Sequence, residues 1–390
     1  MSQRFEQAGA AIETRRVVEI ARALCSVPSD DPQAEGPRAE IIAEALERAG
    51  ADVHVADVVA GRPNVIARVR GEGKRPPLVL QGHIDAGVYP SGWTHSAHSP
   101  WESGGRLYGG GITDMLGGVA AMVAAVEAAA GFGPLPGDLI LHATMYHDGI
   151  GLGAKYALAT EGPSEGYGIC GEPSDLNIHT GNGGAFKFEI TLTGSPAHVS
   201  RMESAVDTLR PAAAIYDKLV DHEFAHQPEP RLPDLPRLLI GELKAGSSPT
   251  AVAESATITG DLRCVPGMDR ITVRQEILDI VQSVVPDDVG HRVRIIGVHQ
   301  PFLGATSGPL VDAITAAQTA IVGIAPRVTN ELPGQAFVTD AADLAAAGLE
   351  TVVYGVGAWH YAPDEWVWIE HLAGSARVYL AVAAMLGADT

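Results

Sequence analysis

The stretch PLVLQGHIDAG (77–87) decides the fold. An apolar run of strand length stops at a glycine, and a histidine and an aspartate two residues apart leave its end on the same side. The glycine that follows permits a tight turn. Working outward, the same grammar recurs. Upstream, DVHVADV (52–58) and NVIARV (64–69) are short, apolar or alternating, and bounded by Gly and Pro. Before them, Val17, Ile20, Ala21 and Leu24 share one helical face, and Ile41, Ala45 and Leu46 share another. Downstream, a Gly/Ser/Trp-rich loop (86–112) leads into a small-residue helix over 115–130. A strand DLILHATMY (138–146), a helix at 152–160 and a strand GYGIC (166–170) follow. Strands alternating with helices predict an α/β layer structure with a largely parallel sheet.

From about residue 181 the rhythm changes. Phe186, Phe188, Ile190 and Leu192 alternate strictly, as in a strand with one buried face. A helix at 203–220, strands at 237–244 and 255–264, a helix at 270–284 and a strand at 291–297 complete the order βαββαβ, the ferredoxin-like plan. The expected organisation is an α/β domain in two parts, 1–180 and 298–390, with a ferredoxin-like module at 181–297 inserted between them. The second part resumes with a helix at 308–322 and the strand ETVVYG (350–355).

Composition narrows the function. With 27 Lys+Arg against 47 Asp+Glu the net charge is −20, and phosphate binding needs a basic face, so no nucleic-acid partner is expected. Leu116 to Gly131 is weakly charged but shorter than the roughly 20 residues that span a bilayer, so no membrane segment is expected. The N-terminus lacks the apolar core of a secretory signal, and the three cysteines (Cys25, Cys170, Cys264) are odd in number and scattered. These features predict a reduced, cytoplasmic protein acting on a small-molecule substrate.

Several strand exits deliver metal-ligand chemistry. His83 and Asp85 leave the strand at 77–82, where a carboxylate can fix the tautomer of a ligating histidine; a capped strand end is the plainer alternative. Asp114, in GGGITDMLGG, reads alone as a helix N-cap. Glu172, in CGEPSD, follows the strand at 166–170; His147–Asp148 follow the strand at 138–146; His360, in GAWHYAPDEW, follows the strand at 350–355. Open α/β sheets collect ligands at that edge. The mixed N/O set suits Zn²⁺ or Mn²⁺.

On these motifs the chain, from about residue 15 to its C-terminus, resembles the aminoacylase, carboxypeptidase G and succinyl-diaminopimelate desuccinylase group of metal-dependent hydrolases. GHIDAG matches that family's His-x-Asp motif, Asp114 its bridging aspartate, Glu172 its Gly-Glu-Pro carboxylate, and WHYAPDE its C-terminal motif with His360 as ligand. The resemblance implies a two-domain metallopeptidase-like fold with a dimerising lid, a homodimer, and one or two divalent ions, Mn²⁺ or Zn²⁺, per subunit. It also implies metal ligands His83, Asp114, Glu172, Asp148 and His360. GSPAHVS matches a lid motif that places His198 at the neighbouring subunit's site, and Arg263 in GDLRCVPG resembles the substrate-anchoring arginine. Asp85 is assigned to orient His83.

The departures bear on substrate. Where family peptidases carry Glu-Glu, base then ligand, this chain has His147–Asp148. The usual Lys of the Asp114 motif is Leu116, and the lid's Asn-x-Ile-Pro reads Thr250-Ala-Val-Ala253. These changes point away from ordinary amide hydrolysis, and the chain resembles an unusual aminohydrolase branch of the group. That resemblance implies hydrolytic deamination of an electron-poor aromatic amine such as 5-nitroanthranilate, with His147 carrying the proton and Tyr146, Trp359, Tyr361 and Trp366, near the ligands in sequence, as candidate walls of a flat pocket. The alternatives are an amidohydrolase, deacylase or peptidase acting on N-acyl amino acids, and a non-catalytic binding homologue; the aromatic residues can equally be core.

Overall fold

A computed structural model describes residues 2–28, 35–87, 89–359 and 362–386, with backbone alone for 2, 3, 148 and 149. The chain divides into two compact units. One comprises residues 1–181, 302–334 and 339–390; the other comprises residues 182–301 and 335–338. Sequence reading placed the inserted module at 181–297; the short return segment 335–338 carries no pattern of its own.

The first unit is built on a six-stranded sheet in the spatial order Asp52–Val59, Arg62–Val69, Leu139–Thr144, Leu78–His83, Gly166–Cys170, Leu349–Val353. The last four strands are parallel. The first two form an antiparallel hairpin beside them, because the two-residue link at 60–61 is too short for a crossover. The parallel strands read as unbroken apolar runs because both faces are covered. Leu78, Leu80, Leu139 and Leu141 enter one core with the helices Gly117–Phe132 and Ile369–Met385. Val79, Ile140, Ile66 and Cys170 enter a second core with Ala157 and Leu344 on the opposite side. The run Ile112–Phe132 is long and apolar enough to cross a membrane by length and composition, yet most of it is buried, as in a helix that is core on every side.

Two local differences from expectation have simple causes. The strand expected to reach residue 146 ends at Thr144, since Tyr146 turns into the left-handed region (φ 55°). Within the expected loop 86–112, Trp101–Ser103 and Arg106–Tyr108 pair across a Gly104-Gly105 turn and are joined by Trp366–Trp368. Strands of three residues are too short to show a period.

The second unit has a four-stranded antiparallel sheet in the order Arg237–Ala245, Ser255–Cys264, Gly184–Thr193, Gly290–His299. The helices Leu209–Val220 and Arg270–Val284 contribute Ile215, Leu219, Val273 and Ile277 to its core, against Phe188, Ile190 and Ile258. Chain order is βαββαβ, the ferredoxin-like plan. The first helix starts at Leu209 rather than 203, because Val199–Ser204 form a separate 3₁₀ turn.

Candidate metal centre

Sheet register brings the first site residues together. His83, the last residue of its strand, pairs with Thr144, and Gln81 pairs with Cys170, so three parallel strands end nearly level. His83, His147 and Glu172 leave that carboxyl edge, where open α/β sheets bind ligands. Asp114 arrives on the turn Ile112–Leu116 ahead of the helix Gly117–Phe132. A Cβ on Gly118 would lie 2.6 Å from the Gly171 carbonyl oxygen, so glycine is what lets the helix start approach the Glu172 exit.

His83 is buried, and its Nδ1–H donates to the backbone carbonyl of Asp85 at 2.9 Å. Nε2 then faces inward, 3.0 Å from Asp114 Oδ1 and 3.6 Å from Glu172 Oε1. The orienting bond thus comes from the Asp85 backbone. The Asp85 carboxylate lies 3.6 Å from Nδ1 and accepts the His147 backbone N–H at 3.1 Å. The turn itself is held by the fully buried Arg38, which donates to the carbonyls of Ile84, Leu24 and Val27.

His147 opens the short helix His147–Ile150. Buried Asn64 fixes the turn by accepting the Met145 N–H and donating to the Gly153 carbonyl. The His147 ring stacks on His83, centroids 4.7 Å apart and planes within 8°. Its Nδ1–H donates to Asp340 Oδ1 at 2.8 Å, and Nε2 points to Glu172 Oε1 at 3.7 Å. Asp340 is buried, and its other oxygen accepts from Gln81 Nε2 at 3.0 Å. Sequence reasoning missed Asp340: its only signal is that of an N-cap before the helix Ala341–Ala346, yet its side chain makes no capping bond there.

These groups compete for protons. Burial and the Asp114 charge push the Glu172 carboxyl up to about 8. Burial opposes charge on His147, but the Asp340 charge and hydrogen bond outweigh it and raise the imidazole to about 10. His83 is likewise raised against burial by its bond to Asp114 and the charges of Glu172 and Asp85. Asp114 is held down at about 2 despite burial, by the hydrogen bond and charge of His83. With no ion present, the two imidazoles hold the protons that offset the Asp114 and Asp340 charges.

The donors fit a divalent ion. With Nδ1–H committed, a neutral His83 cannot also donate from Nε2, so its 3.0 Å approach to Asp114 requires a second ring proton or a cation. Glu172 Oε1 is buried with no hydrogen-bond partner among the described residues. One ligand atom each from His83, His147 and Glu172 lie within 4.8 Å of one another. Donors about 2.1 Å from a shared ion sit roughly 3–3.5 Å apart, close to the separations here.

The profile of peptidase family M20/M25/M40 matches residues 79–385. This chain belongs to that family. A succinyl-diaminopimelate desuccinylase from Gluconobacter oxydans (strain 621H) is 29% identical over 93% of this chain and 96% of its own length. Among solved structures, the di-peptidase Dug1p from Saccharomyces cerevisiae shares the fold with a TM-score of 0.82 at 15% identity, over 98% of this chain and 99% of that one. YXEP from Bacillus subtilis, described as a dinuclear metal-binding M20 peptidase, has a TM-score of 0.64 at 17% identity, over 95% and 97% of the two chains. The chain is an M20 metal-dependent hydrolase with a divalent-metal site.

The remaining expected M20 residues divide by location. His360, Tyr361 and the Asp148 side chain lie outside the described residues. Trp359 is 40% exposed and donates its indole N–H to Asp114 Oδ2 at 3.1 Å. Trp366 packs under the Arg106 guanidinium at 3.9 Å, and Tyr146 under that of Arg62 at 4.4 Å. On the second unit, His198 is exposed and its Nδ1 accepts from Ser200. Arg263 is half-buried, paired with Asp261 and donating to the Ala336 carbonyl at 3.0 Å.

Proposed function

We propose that this chain hydrolyses the amide bond of an N-acyl amino acid or a similar small acylated amine, with His147 as the proton carrier. The observation that carries this reading is the bond from His147 Nδ1–H to buried Asp340, which leaves Nε2 facing the donors His83 and Glu172. Without a metal the Asp340 charge keeps a proton on Nε2 as well. The positive charge of a bound divalent ion would drive that proton off, and the carboxylate-backed imidazole could then take a proton at Nε2 and return it to a leaving amine, the work done by the first glutamate in family peptidases. His83, Asp114 and Glu172 hold the ion, with Asp148 and His360 assigned to a second one, and Asp85 places both imidazoles. A divalent ion at this position polarises the scissile carbonyl and acidifies water. The desuccinylase among the relatives removes, by its name, the succinyl group of succinyl-diaminopimelate, which supports an acylated amine as substrate. His198 and Arg263 are assigned to substrate binding, His198 across a homodimer formed through the inserted unit.

Deamination of an electron-poor aromatic amine such as 5-nitroanthranilate is the second reading. The partly exposed Trp359 beside Asp114 favours it, because it sets an aromatic surface next to the donors. Two of its motives weaken: the glutamate base has a carboxylate-backed replacement, and Trp366 is occupied by Arg106. The test is direct. Metal-loaded enzyme is offered N-succinyl and N-acetyl amino acids and, separately, nitroanthranilate, with release of free amine and of ammonia measured. Amide cleavage that falls about 10²-fold or more in His147→Ala, and is retained in His147→Glu, supports the proposal. Ammonia release from the aryl amine with no amide cleavage refutes it. Full metal occupancy with neither reaction identifies a binding homologue.

A further inference from the structure

Gly355, Gly357, Trp359 and Glu365 touch both carboxylate-bearing loops of the candidate centre. On the Glu172 side, the N–H groups of Leu176 and Asp175 donate to the carbonyls of Gly355 and Gly357 at 3.0 and 2.8 Å, and the Gly355 N–H donates to Ser174 Oγ at 2.9 Å. On the Asp114 side, a Cβ on Gly357 would already sit 3.4 Å from the Thr113 methyl, and the Trp359 indole N–H binds the Asp114 carboxylate. Glu365 adds contacts to the turn before Asp114. Its backbone carbonyl accepts the Gly109 N–H at 3.3 Å. Its carboxylate, only 5% exposed, accepts from the Gly111 N–H with one oxygen and from the Thr113 hydroxyl with the other.

Burying a carboxylate is costly unless donors meet it, and here both donors come from the two residues that bracket Ile112 just before Asp114. One of them, Gly111, sits in the left-handed region (φ 72°), where a side chain would be strained. A two-point hold on that turn fixes the direction in which the next residue leaves it. We propose that Glu365 is a positioning residue that aims Asp114 at the metal, acting through Gly111 and Thr113. Its side chain makes no hydrogen bond to a proposed ligand among the described residues; its hold on Asp114 runs through the Gly111 and Thr113 donors. The inference rests on the reading of Asp114 as a ligand.

Metal affinity of the full chain, stripped by chelator and titrated with Zn²⁺ and Mn²⁺, tests it alongside the melting temperature of the metal-free protein. Loss of an outer partner of a ligand typically weakens binding about 10–100-fold, and Glu365→Gln is expected to fall in that range. Thr113→Val, which removes one of the two donors and is the variant to use if Glu365→Gln does not fold, is expected to weaken it about 3–5-fold. The double variant should bind no worse than Glu365→Gln, because both changes break one link. The rise in melting temperature on adding metal should shrink in the same order. Unchanged metal affinity in Glu365→Gln or Thr113→Val, with only the metal-free melting temperature lowered, would show a structural role and overturn the proposal. Asp114→Asn separates the two levels. If it binds metal like the wild type, the ligand assignment fails and the inference with it; if it loses metal while Glu365→Gln does not, only the inference fails.

Discussion

Replacing Asp340 by Asn changes one atom in the network behind His147. Asp340 accepts from His147 Nδ1–H on one oxygen and from Gln81 Nε2 on the other, while Gln81 Nε2 also donates to Thr144 Oγ1 at 2.8 Å. An asparagine must present one oxygen and one amide group to two donors. If its oxygen meets His147, Gln81 has to turn over, and a charge-assisted bond becomes a neutral one. That exchange costs about 1–1.5 kcal/mol, or about 10-fold in kcat/KM. If its amide meets His147, the ring proton moves to Nε2 and faces Glu172, where it excludes both a cation and an incoming proton. An imidazole held in the wrong tautomer can lose about 10⁴ in turnover. The expected result is therefore a fall of about 10- to 10⁴-fold in kcat/KM for amide cleavage, with the near-ultraviolet circular dichroism of the fold retained. The assay is kcat/KM from pH 6 to 9 together with metal content per chain. An Asp340→Asn enzyme with wild-type kcat/KM, pH profile and metal affinity would refute the role given to the His147–Asp340 pair.

Other outcomes follow from the same geometry. Glu172→Gln removes a buried carboxylate whose Oε1 has no hydrogen-bond partner among the described residues, so the metal-free protein should melt higher while its stabilisation by added metal largely disappears. His142 is fully buried, and burial with the nearby Arg68 charge pulls its imidazole down to about 4, below the ordinary value of 6.5 that the unfolded chain regains. Its stabilising contribution is full above pH 6.5 and is lost as pH falls from 6.5 to 4, by about 1.4 kcal/mol per pH unit. Urea midpoints of wild type and His142→Phe between pH 7 and 5 should show the variant less acid-sensitive by that slope; equal slopes would remove His142 as the cause. If His198 completes the neighbouring subunit's site, mixing His198→Ala with a chain carrying Glu172→Gln should restore part of the activity, whereas a fully active monomer would exclude that arrangement.

What was legible in the sequence was what lies next to a strand. The apolar runs before His83, Tyr146 and Glu172 mark strand ends, and parallel register then brings His83, His147 and Glu172 to one edge. Asp114 alone read as a helix N-cap and was singled out only by the family resemblance, although the glycines around it, Gly118 among them, are what let the helix approach Gly171. The antiparallel hairpin at 52–69 was not, because a strand's direction is set by the length of its connection and by its neighbours. Asp340 was hidden for a related reason: its partners His147 and Gln81 are 193 and 259 residues away in sequence, and an aspartate before a helix already has a sufficient local explanation. Asp85 was identified as a support for His83, but a sequence cannot show that the carbonyl holds the ring while the carboxylate holds His147.

The central claim is that His83, Asp114 and Glu172, with His147 Nε2 turned toward them, hold a divalent ion. The most direct measurement is an anomalous difference map from crystals grown with Mn²⁺ or Zn²⁺, recorded on both sides of the absorption edge. The predicted result is a peak about 2.0–2.2 Å from His83 Nε2 and from carboxylate oxygens of Asp114 and Glu172, with His147 Nδ1 still bonded to Asp340. No peak at these donors at saturating metal, or a peak bound by the Asp85 carboxylate in place of Asp114 and Glu172, would contradict it.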